Sequence, residues 1–117
     1  MTIAETLADF LIETGFDDLS PQAVDHAAMI VASTLASAAC GRHIESARII
    51  TEIERERGGA EEASLWFEAS AKLPVVGAAR ANALMSDAAA SDDSDLRNIV
   101  HAGTPLTATA LAVAEAK

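Results

Sequence analysis

The chain has 117 residues, a formal net charge of −10, and 50% hydrophobic residues. That length predicts one domain over residues 1–117, with roughly two-thirds of the unfolded surface buried. So acidic a balance excludes phosphate-tracking nucleic-acid binders and anionic membrane surfaces, which need clustered Lys and Arg.

Much of the apolar half is alanine, and only Phe10, Phe16, Trp66 and Phe67 are aromatic. Such a core gains little area per residue, so helices must approach closely or borrow surface from a partner. Cys40 is the single cysteine, so an internal disulfide and a thiolate zinc cluster are excluded. Its place at the end of an apolar run predicts a buried structural thiol rather than a nucleophile. The N-terminus is acidic with spaced apolar residues, unlike a signal peptide, and the stretch from Ala27 to Cys40 is too short to span a bilayer. A cytoplasmic location is expected.

In chain order, Ile3, Leu7, Phe10 and Leu11 share a helical face, predicting a first helix over Ile3–Thr14 closed by Gly15. Ser20 is placed to cap the next helix, with Pro21 in its first turn. This second helix should run from Pro21 to Ala39, with Gly41 as a left-handed cap. Its stripe of Val24, Ala28, Val31, Ala32, Leu35, Ala36 and Ala39 predicts a central position, with His26 on the surface. A third helix is expected over Glu45–Arg57, with Ala47, Ile50 and Ile53 inward and Gly58 and Gly59 ending it. His43 reads as a loop or cap residue, since no carboxylate lies at ligand spacing.

The segment from Glu61 to Lys72 is ambiguous between a helix and a short extended stretch. Its adjacent Trp66 and Phe67 must point in different directions, one to the core and one to an interface. After Leu73 and Pro74, VVGAARANALMSDAAA is apolar or small nearly all round, the mark of a buried helix. A polar loop follows from Ser91 to Gly103. Thr104 then caps a last helix with Pro105 in its first turn. The fold class is all-α, a bundle of about five helices, with no strand alternation and no phosphate-binding glycine loop.

Chemistry concentrates in SDDSDLRNIVHAGTPL. Asp92, Asp93 and Asp95 share the loop with His101, the side chain best suited to proton transfer near neutral pH. Gly103 leaves backbone open to a ligand, and the helix starting at Thr104 offers N–H groups to a substrate carboxylate. A plain polar connection between helices would also account for this composition.

The order of segments resembles the N-terminal region of the 2-methylcitrate dehydratase family, MmgE/PrpD. LADFLIETGFDDLSPQAVDHAAMIVASTLASAACG is similar to its opening helix, turn and long helix ending in small residues. ERGGAEEASLW resembles the glycine-rich turn after the third helix. KLPVVGAARANALMSDAAASDD resembles the approach to an acidic D-x-D-D motif, and HAGTPLTATALAVAEA the following H-x-G/S motif.

The resemblance implies a mostly helical, dimeric enzyme. Such enzymes eliminate, decarboxylate or epimerise small di- and tricarboxylic acids without a metal or other cofactor. It implies His101 as the active-site histidine, and on the enzyme reading Asp92 or Asp93 would aid it, with Gly103 and Thr104 as the substrate-binding positions read above. The first acid of the pattern falls on Ala90, and a typical member's slightly earlier histidine falls near Ser86. The chain covers about a quarter of an ordinary member. Two readings follow. One is a divergent or split lyase or isomerase that needs a complementary chain or the missing remainder. The other is a non-catalytic helical domain for homo-oligomerisation or partner binding.

Overall fold

In the computed structural model, which describes residues 2–97 and 99–117, the helix over Val75–Ala88 (α4) is the centre of the structure. Three other helices pack on it: Pro21–Gly41 (α2), Glu45–Arg57 (α3) and Gly103–Glu115 (α5). The sequence reason is the narrowness of α4. Its buried residues are Gly77, Ala78, Ala81, Asn82, Met85 and Ser86, mostly small, so neighbours come close on several sides. The predicted all-α bundle of five helices is the fold observed. The fifth helix is Ile3–Glu13 (α1), followed by one 3₁₀ turn at Phe16–Asp18.

The central place expected for α2 belongs to α4 instead. Helix α2 buries only Thr34, Ser37, Ala38 and Gly41, near its C-terminus. The apolar stripe beginning at Val24 lies mostly off that face: Ala28, Ala32 and Ala36 are exposed, while Leu35 packs half-buried against the core. Cys40 also falls off the contact face and is exposed, which overturns the buried-thiol expectation. Gly41 is helical rather than a left-handed cap. A Cβ there would lie 1.9 Å from the Met85 carbonyl oxygen, so glycine is needed for the α2–α4 approach. The apolar helix is also longer than the stretch Ala27–Cys40 suggested. Its 21 residues reach about 31 Å, enough to cross a bilayer by length and composition alone, while its C-terminal end lies against α4.

Ser20 does cap α2, its Oγ accepting from the Ala23 N–H at 3.2 Å, with Pro21 in the first turn. In α3 the inward stripe is Ala47, Thr51 and Glu54, with Ile50 half-buried, whereas Ile53 is 39% exposed. Gly58, at φ 62°, ends α3 as expected.

The ambiguous segment is extended. Ala63–Ser64 (β1) and Lys72–Leu73 (β2) form a two-residue antiparallel ladder, Ala63 opposite Leu73. Between them Trp66 joins the core and Phe67 turns outward, 44% exposed. Asn82 on α4 fixes this turn. Its Oδ1 accepts from the Trp66 N–H at 3.0 Å, and its Nδ2 donates to the Ser64 carbonyl at 2.9 Å. At the far end, the Ser64 N–H and Oγ–H donate to Glu115 Oε2 at 2.9 and 2.6 Å, tying β1 to α5.

Candidate functional site

The loop between α4 and α5 is a folded structure, not a slack connection. The Ala90 N–H donates to the Asp87 carbonyl at 2.9 Å, and Ala90 turns out of α4 at φ 50°. The Asp95 N–H donates to the Val100 carbonyl at 2.9 Å, closing a small bridge. Ile99 sits in this loop at φ 54°, a left-handed backbone that a β-branched residue rarely adopts. The Ser91 and Ser37 hydroxyls, 2.9 Å apart, hold the loop to α2.

All five residues predicted for the site converge. His101 Nδ1 lies 2.8 Å from the Asp93 carbonyl oxygen and 3.5 Å from Asp92 Oδ2. A carbonyl oxygen only accepts, so Nδ1 carries the proton. In the neutral imidazole Nε2 then holds its lone pair. The Asp92 side chain is only 5% exposed, and its Oδ2 also accepts from the Thr104 hydroxyl at 3.0 Å. Thr104 and Ser86 hydroxyls are 3.3 Å apart, which extends the network into α4.

The Gly103 N–H and the Thr104 hydroxyl are both engaged by the loop carboxylates rather than left open to a ligand. The Gly103 N–H donates to Asp93 Oδ2 at 3.0 Å, so this carboxylate occupies the start of α5. The negative charge there suits the helix dipole. Helix α5 begins two residues earlier than expected, at Gly103 with Ala102 as its cap rather than after a Thr104 cap. A Cβ on Gly103 would meet Asp93 Oδ1 at 2.3 Å and Ile30 Cγ2 at 2.6 Å. Asp93 Oδ1 is buried without a hydrogen-bond partner among the described residues, pressed against the glycine. Asp93 therefore serves the loop and the helix end, while Asp92 and the Asp93 carbonyl orient His101.

His101 borders a groove of about 420 Å³ between α3, α4 and α5. Ile50, Leu84 and Pro105 give it an apolar wall, and Arg80 and Asp87 bring charge. The sequence reading missed Arg80. It stands in the otherwise apolar or small helix α4, and a lone guanidinium there was the available signal. Glu54 was missed too. Its 5%-exposed side chain accepts from Arg80 Nη1 at 2.5 Å and from Arg57 Nη1 at 2.7 Å, steadying Arg80 beside the groove. Among the described residues no group of three or more His, Cys, Asp or Glu is arranged to hold a metal ion. His26 and His43 are both exposed, as the sequence predicted for His26.

Residues 5–117 match the family model described as the MmgE/PrpD N-terminal domain. Neither a curated protein nor a solved structure matches the chain.

Proposed function

The chain belongs to the MmgE/PrpD family through its N-terminal domain, and on that premise we propose that it forms part of a lyase or isomerase for small di- or tricarboxylic acids. The observation that carries the reading is the orientation of His101. Its Nδ1–H is fixed on the Asp93 carbonyl, so the Nε2 lone pair is the one available beside the groove. Such a nitrogen takes a proton from carbon next to a carboxylate. The electron pair left on carbon either expels a β-substituent, giving an alkene, or is reprotonated on the other face. Arg80 offers a guanidinium to the carboxylate in the same groove. Asp92 Oδ2, 3.5 Å from Nδ1, helps hold the imidazole in this orientation.

Ala90, at the position of the family's leading acid, supplies no titratable group. The groove is also open to solvent. Both features support a site completed by a complementary chain or by further polypeptide. The test is deuterium wash-in next to the carboxylates of malate and citrate in D₂O, using protein purified from its native source. Replacing His101 with Ala should slow exchange by roughly 10²–10⁴-fold while leaving helical circular dichroism intact. Exchange equal to wild type in that variant overturns the assignment.

A second reading is a homo-oligomerisation or partner-binding domain, and α1 favours it. No residue of α1 is buried, and Ile3, Leu7, Phe10 and Leu11 are 82%, 58%, 57% and 75% exposed. So much exposed apolar surface on one helix supports reading it as an interaction face. Sedimentation of the L7D/F10D double variant should show loss of an oligomer present in wild type. An unchanged sedimentation profile removes this reading.

A further inference from the structure

The strongest concentration of positive charge in this acidic chain lies away from His101. Of the eight Lys and Arg residues, three line one cavity of about 510 Å³: Arg42, Arg48 and Arg55. Glu52 and Glu68 are its two acids, so the lining carries a net charge of +1 (three positive less two negative) in a chain of −10. The cavity shares no lining residue with the groove beside His101.

The charges are not spent equally. Arg55 is paired with Glu68. Arg42 donates through Nε to His43 Nε2 at 2.9 Å, and its guanidinium lies 5.6 Å from the centroid of the Phe67 ring. Arg48 has no side-chain partner among the described residues, although its guanidinium carries five donors.

The aromatic wall is built at a cost. Phe67 holds φ 63° and Ser70 φ 60°, conformations that destabilise a non-glycine residue. The strained turn keeps the Phe67 ring out of the core, where Trp66 already sits, and holds it beside Arg42. The volume falls in the range of small-molecule sites, and planar guanidinium groups are suited to carboxylate and phosphate oxygens.

We propose that this cavity binds a small organic oxyanion, a phosphate or a carboxylate, with Arg48 and Arg42 holding the anionic group and Phe67 the planar body of the molecule. The site stands whether or not His101 is catalytic.

Trp66 reports on it directly, being the chain's single tryptophan, with no tyrosine present, and part of the cavity wall. Titration with phenyl phosphate and with benzoate, read by Trp66 fluorescence, should give a saturable change with at least one of them. The tighter of the two identifies the anionic group. Inorganic phosphate, without a planar body, should bind more weakly than phenyl phosphate. Arg48→Ala and Arg42→Ala should each weaken binding about tenfold or more, while Arg97→Ala, on the exposed loop, should leave it unchanged. All three positions are exposed, and circular dichroism checks that each variant keeps its helices. No saturable change with either probe, or equal affinity in Arg48→Ala and wild type, overturns the proposal.

Discussion

Replacing Gly103 with Ala should destabilise the fold through one identifiable contact. The added Cβ would fall 2.3 Å from Asp93 Oδ1 and 2.6 Å from Ile30 Cγ2, both far inside van der Waals contact. Ile30 is 38% exposed and on the rim of α2, so it can yield. Asp93 cannot move without breaking the 3.0 Å bond from the Gly103 N–H. Loss of a bond to a charged acceptor costs about 1.5–3 kcal/mol, and overpacking about 1–3 kcal/mol. The two overlap, so the expected loss is about 2–5 kcal/mol, a large share of a stability of roughly 5–15 kcal/mol. Urea unfolding followed by helical circular dichroism measures it. The mechanism also fixes a coupling. Asp93→Ala removes the oxygen that the new methyl would strike, so the double variant should lose about 1–3 kcal/mol less than the sum of the singles. A Gly103→Ala loss under about 0.5 kcal/mol, or strictly additive losses, refutes this account of the α5 end.

Gly41→Ala should destabilise by about 1–3 kcal/mol or more, because its methyl would collide with the Met85 carbonyl and force α2 from α4; a wild-type urea midpoint would contradict that contact. Asn82→Ala strands the Trp66 N–H and the Ser64 carbonyl, and should cost about 2–4 kcal/mol by the same measurement. Ser64 donors hold the Glu115 carboxyl below its usual range, chiefly through the hydroxyl, with the Lys72 charge adding and burial opposing. A lowered folded pKa gives stability that is present above the ordinary glutamate value of 4.5 and lost as pH falls through the folded one. Glu115→Gln should therefore be less stable than wild type near neutrality, and the gap should close on acidification; a gap independent of pH would contradict the linkage.

The helices were legible because their punctuation is local. Ser20–Pro21, Gly58–Gly59 and Pro105 each act through backbone geometry within a turn, so their positions can be read without knowing what lies across the bundle. Burial was less legible, for a physical reason. Alanine and serine differ little in size, so a helix rich in both has no sharp apolar face, and packing chose Thr34, Ser37 and Ala38 over the Val24 stripe. Cys40 followed that choice outward, and in α3 the burial of Ala47, Thr51 and Glu54 leaves Ile53 exposed. Glu54 was unreadable as a buried residue because its burial depends on Arg57 and on Arg80, which belongs to another helix.

At the site, the convergence of Asp92, Asp93 and His101 was legible from proximity along one loop. Their division of labour was not. Whether an acid faces the imidazole or a helix end is decided by the left-handed turns at Ala90 and Ile99, positions whose residue types give no hint of φ above zero. The aromatic turn at Trp66 and Phe67 was anticipated as two side chains pointing apart, whereas the cluster of arginines beside it arises only when α2, α3 and the β1–β2 turn come together.

The protonation of His101 at each ring nitrogen is the property on which the proton-abstraction account depends. Long-range ¹H–¹⁵N correlation spectroscopy of the neutral imidazole measures it directly. The account predicts a proton on Nδ1, held by the Asp93 carbonyl, and a bare Nε2. A neutral His101 with its proton on Nε2 and Nδ1 bare would contradict it.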